Sequence, residues 1–515
     1  MKKNRSGGHV GTAFFLWLAV TTEIFAASAS GSGASRNCAR LTRLAIRDGL
    51  INLAEVIPAS DEVPAYCHVV GVVNPAVGFE LRLPIDSWNG RLYFIGNIGF
   101  GGGVWDTSFA VALGYVGVST DTGHVGDFLD ASWALDNRPA EIDYGSRAVH
   151  VTATVSKMIV AAFYGKGPRY SYFDGCSNGG RQGLQEAERY PGDFDGIAAG
   201  SPALDFTGAI TAANWNQQAL HATIDSSIIP PEKLQMIGDA ALASCDGVDG
   251  LIDGLIEDPR KCSFDPDTLR CRNGDAPDCL TAGQVRALKK IYAGPTDSSG
   301  KQLFPGVPPG AESPNLPGSW NAWLINTPDG PSFGFILQDQ FLRYLAFPVD
   351  DANFDWKRLN FDRDPQRMQL MGGIINATNP DLSEFGRSGG KLLLWHGWSD
   401  PIIEAARTVD FYEDVRRTLG RAQTERLARL FLAPGVSHCG GGTGPDSFDY
   451  FTALQDWVEK GIAPDSLESA HYDADGNIDR TRPLCVYPRV ARYNGHGSID
   501  DAANFQCVEP AAGKE

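Results

Sequence analysis

Short apolar runs alternate along the chain with stretches in which apolar residues recur every three or four positions. The apolar runs predict buried strands, because several of them end at glycine-rich or polar turns. The longer stretch at 143–164 places Ala148, Val151, Val155, Ile159 and Ala162 on one face of a helix. The predicted strands cover 66–73, 79–83, 91–96, 115–120, 170–173, 197–202, 391–395 and 427–432, and a second helix covers 179–190. Buried strands that alternate with helices predict an α/β fold with a mostly parallel sheet covered on both faces.

This alternation is interrupted in the middle of the chain. Between about 205 and 379 the sequence contains aromatic residues without strand alternation, four cysteines and a Pro/Gly-rich stretch near 305–318. At 515 residues, the chain is also too long for one ordinary core. We therefore expect a core formed by residues 30–204 and 385–515, with an inserted domain at 205–384.

Composition narrows the partners that the chain could have. The chain has 62 acidic and 44 basic residues, which gives a formal net charge of −18. A nucleic acid or an anionic membrane surface would be repelled by this charge. We expect a small-molecule substrate and no nucleic-acid partner, and the sequence does not indicate an oligomeric state.

The N-terminus has the pattern of an export signal. Basic residues within the first five positions precede an apolar segment at 13–20 that resumes at 24–27, and Ala27-Ser28-Ala29 forms a small-x-small cleavage site. The uninterrupted apolar run is too short to span a bilayer, so a cleaved signal peptide at 1–29 is favoured over a membrane anchor. The mature protein is expected to be secreted or periplasmic, with no membrane attachment.

Ten cysteines are consistent with an oxidising compartment. Their even number favours disulfides, and no paired C-x-x-C spacing indicates zinc. Pairs that are close in sequence are the simplest prediction, and they are Cys38 with Cys67, Cys245 with Cys262, Cys271 with Cys279, and Cys485 with Cys507. Cys176 and Cys439 then remain.

The stretch YSYFDGCSNGGR at 170–181 carries the first chemical motif. A strand-like run ends at Gly175, Ser177 follows, and Gly179 leads into the helical pattern. This is the G-x-S-x-G nucleophile elbow, in which small residues allow the sharp strand-to-helix turn that exposes a serine hydroxyl. Ser177 is therefore the candidate nucleophile.

A serine nucleophile needs a base and an acid, and both follow later buried strands. Asp400 comes after the strand KLLLW, and His438 comes after the strand RLFL. The order Ser, Asp, His is that of the α/β-hydrolase fold, and parallel strand ends bring the three residues to one edge of the sheet. His396 is the rival base, but its place before a tight glycine turn better suits a structural role.

The two remaining cysteines flank this predicted triad. Cys176 immediately precedes Ser177, and Cys439 immediately follows His438. If the serine and the histidine are within hydrogen-bonding distance, their neighbours are close enough for a disulfide. Such a bond would hold the base in register with the nucleophile.

These motifs together resemble a known family. GCSNGGR at 175–181, HGWSD at 396–400 and SHCGGG at 437–442 are similar to the motifs of the tannase and feruloyl esterase family. The resemblance covers nearly the whole mature chain. It implies an α/β-hydrolase core with a large inserted lid domain, and an exported serine esterase that hydrolyses carboxylic esters of aromatic acids, phenolic or terephthalic, through an acyl-enzyme.

Acyl transfer also requires N–H donors for the oxyanion of the tetrahedral intermediate. The backbone N–H of Asn178, directly after the nucleophile, is one candidate. The second is expected in the glycine-rich loop after the 91–96 strand. Gly99 is the preferred donor there, and Gly101 is the alternative.

A second constellation, CDGVDGLIDGLI at 245–256, lies in the predicted insertion. Carboxylates separated by glycines suit an oxygen-liganded cation such as calcium, although the spacing is not that of an EF-hand, and a run of Asp-Gly turns is the alternative. The family resemblance implies a structural calcium ion. Its ligands would be the carboxylates of Asp246, Asp249 and Asp253 and the carbonyls of Leu251 and Leu255.

Substrate contacts are less determined by the sequence. The insertion offers an aromatic wall from Trp320, Trp323, Phe333, Phe335 and Phe341, most of which are expected in its own core. Trp398, between the glycine turn and the acid, is expected to line the pocket. Two other functions stay open: a serine hydrolase of other specificity, such as a peptidase or lipase, and a calcium-dependent binding protein without catalysis.

Overall fold

The structure, a computed structural model, describes residues 33, 35–222, 227–313, 318–328 and 330–510. The predicted signal peptide at 1–29 lies outside these residues. None of the helices that the described residues form combines the length and the apolar character needed to cross a membrane.

A nine-stranded mixed sheet forms the centre of the protein. Its strands are β1 (Gly49–Ile57), β2 (Tyr66–Val73), β3 (Val77–Pro84), β4 (Arg91–Ile95), β5 (Val116–Thr120), β6 (Tyr170–Cys176), β7 (Gly196–Gly200), β8 (Lys391–Gly397) and β9 (Ala428–Ala433). Across the sheet their order is β1-β2-β3-β5-β4-β6-β7-β8-β9. The pairs β1–β2, β2–β3 and β3–β5 are antiparallel. The remaining neighbours, from β5–β4 through β8–β9, are parallel. The carboxyl ends of β6, β8 and β9 therefore meet at one edge.

The described residues form fifteen α-helices, some of which cover the two faces of this sheet. They are α1 (Ser108–Ala112), α2 (Arg138–Ile142), α3 (Ala148–Tyr164), α4 (Asn178–Arg189), α5 (Phe206–Leu220), α6 (Leu234–Cys245), α7 (Ala282–Ala293), α8 (Trp320–Trp323), α9 (Phe333–Tyr344), α10 (Asp364–Arg367), α11 (Gln369–Ile375), α12 (Ser383–Arg387), α13 (Ala405–Leu419), α14 (Arg421–Leu427) and α15 (Tyr450–Lys460). Alternate residues of β4 face opposite layers: Leu92 and Phe94 belong to the core under α3, α4 and α13, and Tyr93 belongs to the core under α1 and α15. Residues 143–147, predicted to begin the helix, form a π-helical turn before α3.

The chain between β7 and β8 forms a helical layer beside the carboxyl end of the sheet. Its described residues form α5 to α12 with short 3₁₀ turns and loops, and none of them enters the nine-stranded sheet. Trp320 is fully buried in a hydrophobic core that this segment builds for itself. A second core joins the segment to the rest, because Phe100 packs against Phe206 and Phe341 at ring-centroid distances of 5.8 and 6.5 Å.

The last part of the chain adds two small antiparallel sheets that the sequence did not predict. One contains β10 (Ser447–Phe448), β11 (Ser466–Tyr472) and β12 (Ile478–Cys485), and the other pairs β13 (Val490–Tyr493) with β14 (Phe505–Val508). All five predicted disulfides are present in the structure. The bond between Cys485 and Cys507 connects the two small sheets.

Candidate active site

Ser177 occupies a sharp turn between β6 and α4. Its backbone is in a sparsely populated conformation with φ 63° and ψ −122°. The neighbouring glycines leave no room for side chains, since a Cβ on Gly175 would lie 2.8 Å from the Cα of Gly179. A Cβ on Gly96, at the end of β4, would lie 2.7 Å from that same atom. The glycines therefore permit the turn that presents the hydroxyl of Ser177.

The structure brings the three predicted residues into one hydrogen-bonded chain. Nε2 of His438 lies 2.9 Å from Oγ of Ser177, and Nδ1 of His438 lies 2.7 Å from Oδ2 of Asp400. The serine is half-buried, whereas the acid is completely buried. This geometry allows the histidine to take a proton from the serine on one side and to be oriented by the carboxylate on the other.

Asp400 is held in its ionised form by the groups around it. Burial alone would raise its pKa, but the charge of His438 and the hydrogen bonds from His396 and His438 outweigh burial and lower the pKa well below its ordinary value. The other carboxylate oxygen accepts the N–H groups of Ile402 and Ile403, each at 3.0 Å. The acid is thus fixed in charge and in orientation.

His396, the rival base, lies behind the acid. It is completely buried, with Nδ1 2.9 Å from Oγ1 of Thr408 and Nε2 2.8 Å from the carbonyl oxygen of Ile403. Its Nε2 also lies 3.2 Å from Asp400. Both ring nitrogens are engaged within the core, so His396 supports the carboxylate and does not face Ser177.

A disulfide joins the elements that carry the serine and the histidine. Cys176 ends β6, and its Cα lies 6.0 Å from that of Cys439. Cys439 has φ 62°, a left-handed conformation that is uncommon for residues other than glycine. The bond therefore connects two sharp turns, one on each side of the contact between Ser177 and His438.

The loop after β4 contains both candidate oxyanion donors, and their backbone hydrogen bonds distinguish them. The N–H of Gly101 donates to the carbonyl of Ile98 at 2.9 Å, whereas Gly99 lines the cavity in front of Ser177. Within the described part of the chain, the N–H of Gly99 has no acceptor. Gly99 also has φ 47°, and a Cβ there would lie 2.3 Å from the carbonyl oxygen of Phe128. Gly99 is therefore free to donate, and Gly101 is not.

Asn178 begins α4, so its N–H belongs to the first turn, where no intrahelical acceptor is available. Its side-chain oxygen accepts from Nε of Arg181 at 2.7 Å. Arg181 is completely buried and also donates to the carbonyls of Gly145 and Ile375. The motif GCSNGGR contains this arginine two residues after Gly179, but its pattern does not predict these buried contacts.

A cavity of about 300 Å³ lies in front of Ser177. Trp323 and Phe333, two of the five predicted aromatic residues, line it, and the Trp323 ring meets the His438 ring edge-on at 4.9 Å. The other three do not line it, since Trp320 and Phe341 are buried in cores and Phe335 packs against Trp356. The lining also includes residues that the sequence did not single out: Phe128, Phe206, Ile210, Leu337, Ile402 and Ile403.

The prediction that Trp398 lines the pocket is wrong. Trp398 is 4% exposed, packs in the main hydrophobic core and lies under Arg260, whose guanidinium carbon is 4.9 Å from the ring centroid. The turn that places Asp400 beside His438 carries Trp398 away from the cavity. Ile402 and Ile403, on the other side of the acid, line the cavity instead.

The acidic loop at 246–255 lies at the end of α6, apart from the cavity. Asp246 accepts the N–H groups of Asp253 and Gly254 at 3.0 and 2.9 Å, and Asp253 pairs with Arg482 at 2.7 Å. Burial, together with the charges of Asp253 and Asp246, raises the pKa of Asp249. Among the His, Cys, Asp and Glu side chains of the described residues, three ligand atoms come within 4.8 Å of one another only at His150, Glu186 and Asp193, outside this loop.

Comparisons with known proteins place this chain in a family. The family described as tannase and feruloyl esterase matches residues 61–508. An uncharacterised esterase from Xanthomonas campestris is 36% identical, covering 94% of this chain and 93% of that protein. Mono(2-hydroxyethyl) terephthalate hydrolase from Piscinibacter sakaiensis is 33% identical, covering 87% of this chain and 85% of that protein. The crystal structure of feruloyl esterase B from Aspergillus oryzae is similar with a TM-score of 0.83 at 26% identity, covering 92% of this chain and all of that chain.

The fold and these relatives define the class of the protein as a carboxylic ester hydrolase with the α/β-hydrolase fold. The chain belongs to the tannase and feruloyl esterase family. The predicted fold class and the predicted family are both confirmed.

Proposed function

We propose that this esterase hydrolyses carboxylic esters of aromatic acids through an acyl-enzyme formed on Ser177. The observation that carries the proposal is the chain of contacts from Ser177 to His438 at 2.9 Å and from His438 to Asp400 at 2.7 Å. The aromatic wall of the adjoining cavity, which includes Trp323 and Phe333, supports an aromatic acyl group.

In the first half-reaction, Oγ of Ser177 attacks the ester carbonyl carbon while Nε2 of His438 takes the hydroxyl proton. The carbonyl oxygen becomes an oxyanion that accepts hydrogen bonds from the N–H groups of Asn178 and Gly99. When the tetrahedral intermediate collapses, the C–O bond to the alcohol breaks. His438 returns the proton to the leaving alcohol, and the acyl group stays on Ser177.

In the second half-reaction, a water molecule gives its proton to His438 and attacks the acyl carbon. Collapse of the second tetrahedral intermediate releases the carboxylic acid and returns the proton to Ser177. Asp400 remains ionised throughout and stabilises the protonated histidine, because its pKa is lowered by the two histidines beside it.

Replacing Ser177 tests this assignment most directly. Ser177→Ala should lower kcat for a chromogenic aromatic ester by at least about 10³-fold, while the thermal unfolding midpoint stays close to that of the wild type. Ser437→Ala, which removes a buried hydroxyl next to the histidine, is the matched control and should keep most of the activity. Undiminished turnover by Ser177→Ala, or cleavage of anilides in preference to esters, would contradict the proposal.

We also propose that the acidic loop binds a structural calcium ion. The donor chemistry fits, because three carboxylates and two glycines lie within the eight residues 246–253. Among the described residues, Arg482 pairs with one of these carboxylates, that of Asp253. Asp246, Asp249 and Asp253 would supply carboxylate oxygens, with carbonyl oxygens from Leu251 and Leu255. Burial and the charges of Asp253 and Asp246 raise the pKa of Asp249, and a bound cation would offset both effects.

Calcium removal tests this second proposal. Chelation of calcium should lower the thermal unfolding midpoint by several degrees, and added calcium should restore it. Asp249→Asn should abolish the calcium-dependent shift, whereas Asp239→Asn, an exposed acid on α6 outside the acidic loop, should retain it. An unchanged midpoint of the wild type after chelation would argue for a run of Asp-Gly turns without an ion.

Export is the third part of the proposal. The N-terminal pattern and the five disulfides support a protein that matures outside the reducing cytoplasm. Mass analysis of the N-terminus of protein recovered from periplasm and medium should find cleavage after Ala29. Recovery of the uncleaved chain in the membrane fraction would contradict it.

A further inference from the structure

The cavity in front of Ser177 is lined mostly by apolar side chains. Apart from Ser177, Asn178 and His438, every described residue in its wall is glycine, an apolar residue or the disulfide-bonded Cys439. Asn178 is 1% exposed, and its side-chain oxygen is already bound to Arg181. Two neutral donors in the wall, Nε1 of Trp323 and Nδ2 of Asn178, have no acceptor among the described residues. The wall therefore offers a ring substituent neither a charged side chain nor a free side-chain acceptor beyond the proposed catalytic residues.

The cations near the cavity are committed to other partners. Arg181 directs its guanidinium to the side chain of Asn178 and to backbone carbonyls. Arg407, which follows the lining residues Ile402 and Ile403, pairs with Asp205 at 3.1 Å. The internal residues outside the described ranges, at 223–226, 314–317 and 329, contain no lysine, arginine or histidine. Apart from the proposed base His438, no described residue that lines the cavity has a cationic side chain that could pair with a substrate carboxylate.

The aromatic members of the wall are arranged as a continuous edge-to-face series. Trp323 contacts Phe333 at a centroid distance of 5.5 Å, and Phe333 contacts Phe128 at 5.7 Å, with interplanar angles of 70° and 74°. Trp323 in turn meets the ring of His438. This series, together with Ile210 and Leu337, surrounds a volume at the lower end of the range for small-molecule sites.

We propose that the acyl site selects an uncharged, single-ring aromatic acyl group with few or no hydroxyls, of the benzoate or cinnamate class, and rejects terephthalate and gallate. This inference rests on the proposed function and specifies its substrate. A carboxylate buried among apolar side chains without a partner is strongly disfavoured, and each unpaired hydroxyl adds a smaller cost. An apolar ring, by contrast, gains from leaving water.

A matched series of 2-hydroxyethyl esters tests the proposal with the alcohol held constant. The acids are 4-methylbenzoic, 4-carbamoylbenzoic and terephthalic, which differ in charge and polarity at one ring position, together with gallic acid. In the wild-type protein, kcat/KM for the 4-methylbenzoate should exceed that for the terephthalate monoester by at least about 100-fold. The carbamoyl ester and the gallate should fall between them, about 10- to 100-fold below the 4-methylbenzoate.

A cation placed in the wall should reverse part of this preference. Leu337→Arg should lower the ratio of 4-methylbenzoate to terephthalate turnover by at least about tenfold. Phe333→Arg, at a more exposed position of the same wall, is the second variant in case Leu337→Arg fails to fold. Leu370→Arg, an exposed leucine on α11 outside the cavity, adds the same charge and should leave the ratio unchanged.

The possible outcomes separate this inference from the proposed function. Equal turnover of the 4-methylbenzoate and terephthalate esters, or faster turnover of the latter, would overturn the selection while leaving the aromatic esterase intact. Hydrolysis of a short aliphatic ester but of none of the four aromatic esters would overturn both the selection and the aromatic assignment. Two results together would establish that the apolar wall determines acyl selectivity. The wild type would show the expected order of kcat/KM, and the ratio of 4-methylbenzoate to terephthalate turnover would fall in Leu337→Arg or Phe333→Arg but not in Leu370→Arg.

Discussion

The sheet core and the segment inserted between β7 and β8 contribute to the proposed active site in different ways. The core supplies Ser177, Asp400 and His438 from the carboxyl ends of β6, β8 and β9, where parallel pairing fixes their relative positions. The inserted segment supplies Trp323, Phe333 and much of the remaining cavity wall from helices that pack on one another. Catalytic geometry thus depends on backbone pairing, whereas the shape of the cavity depends on side-chain packing. Substitutions in the two regions should therefore have different kinetic signatures.

The largest contrast is expected between two buried, charge-paired acids. Asp400→Asn should lower kcat by about 10⁴-fold, because the histidine loses the partner that orients it and stabilises its charge. Asp364, completely buried beside Arg363 and Arg367 in the inserted segment, is the matched control. Asp364→Asn should reduce the free energy of unfolding but change kcat only a few-fold. Steady-state kinetics and urea unfolding of both variants test this contrast. Similar losses of kcat in the two variants would refute the distinction between a catalytic Asp400 and a structural Asp364.

The next contrast concerns two disulfides. Replacing both Cys176 and Cys439 by alanine should lower kcat by about 10- to 100-fold, because the serine and the histidine are no longer held in register. The same change should reduce the free energy of unfolding by about 2–5 kcal/mol, because the cross-link is lost. Removing both Cys271 and Cys279, which close a loop within the inserted segment, should leave kcat within about twofold. A normal kcat in the first double variant would show that the sheet alone positions the two residues.

Changes in the inserted segment should appear in KM. Trp323→Ala should lower kcat/KM for an aromatic ester by about tenfold, mainly through KM, because the wall contacts the ring before and during reaction alike. Trp356, a half-buried tryptophan of the same segment that packs on Phe335 outside the cavity, is the control. Trp356→Ala should leave KM unchanged, and a KM effect equal to that of Trp323→Ala would contradict the role of the wall.

The smallest expected effect is a pH dependence of the free energy of unfolding that arises in the sheet core. Burial raises the pKa of Asp174, on β6 before the elbow, to about 6, although the hydroxyls of Tyr93 and Tyr450 donate to it. Between about pH 4 and pH 6 the folded protein retains a proton that the unfolded chain has released, so raising the pH lowers stability by on the order of 2 kcal/mol. Asp174→Asn should remove this loss, which is measured as the difference in the free energy of urea unfolding between pH 4.5 and pH 7. Asp239→Asn, exposed on α6, should retain it.

The same contrast explains what could be predicted from the sequence. The positions of Ser177, Asp400 and His438 were predictable because each follows an apolar strand, and parallel strands bring their ends together. The observation that favours Gly99 over Gly101 as the proposed oxyanion donor required the structure, since it is the hydrogen bond from the N–H of Gly101 to the carbonyl of Ile98. Local pattern could suggest these donors but could not rank them.

The cavity wall was less predictable because its members come from distant segments. Phe128, Ile210 and Leu337 have no local motif, and they meet only through the packing of the inserted helices on the core. Trp398 illustrates the opposite case, in which a residue close to a motif in sequence lies away from the cavity. It stands two residues before Asp400 but packs in the main hydrophobic core. Proximity in sequence to a motif residue does not determine which side of a turn a side chain takes.

The bond between Cys176 and Cys439 has a consequence for the integrity of the chain. It spans 263 positions and encloses the whole segment between β7 and β8, whereas the other four disulfides link residues at most 29 positions apart. A protease that cuts once within the inserted segment would therefore leave two polypeptides still joined covalently beside the nucleophile. Such a nicked enzyme would migrate as one species on a denaturing gel and separate into two only after reduction.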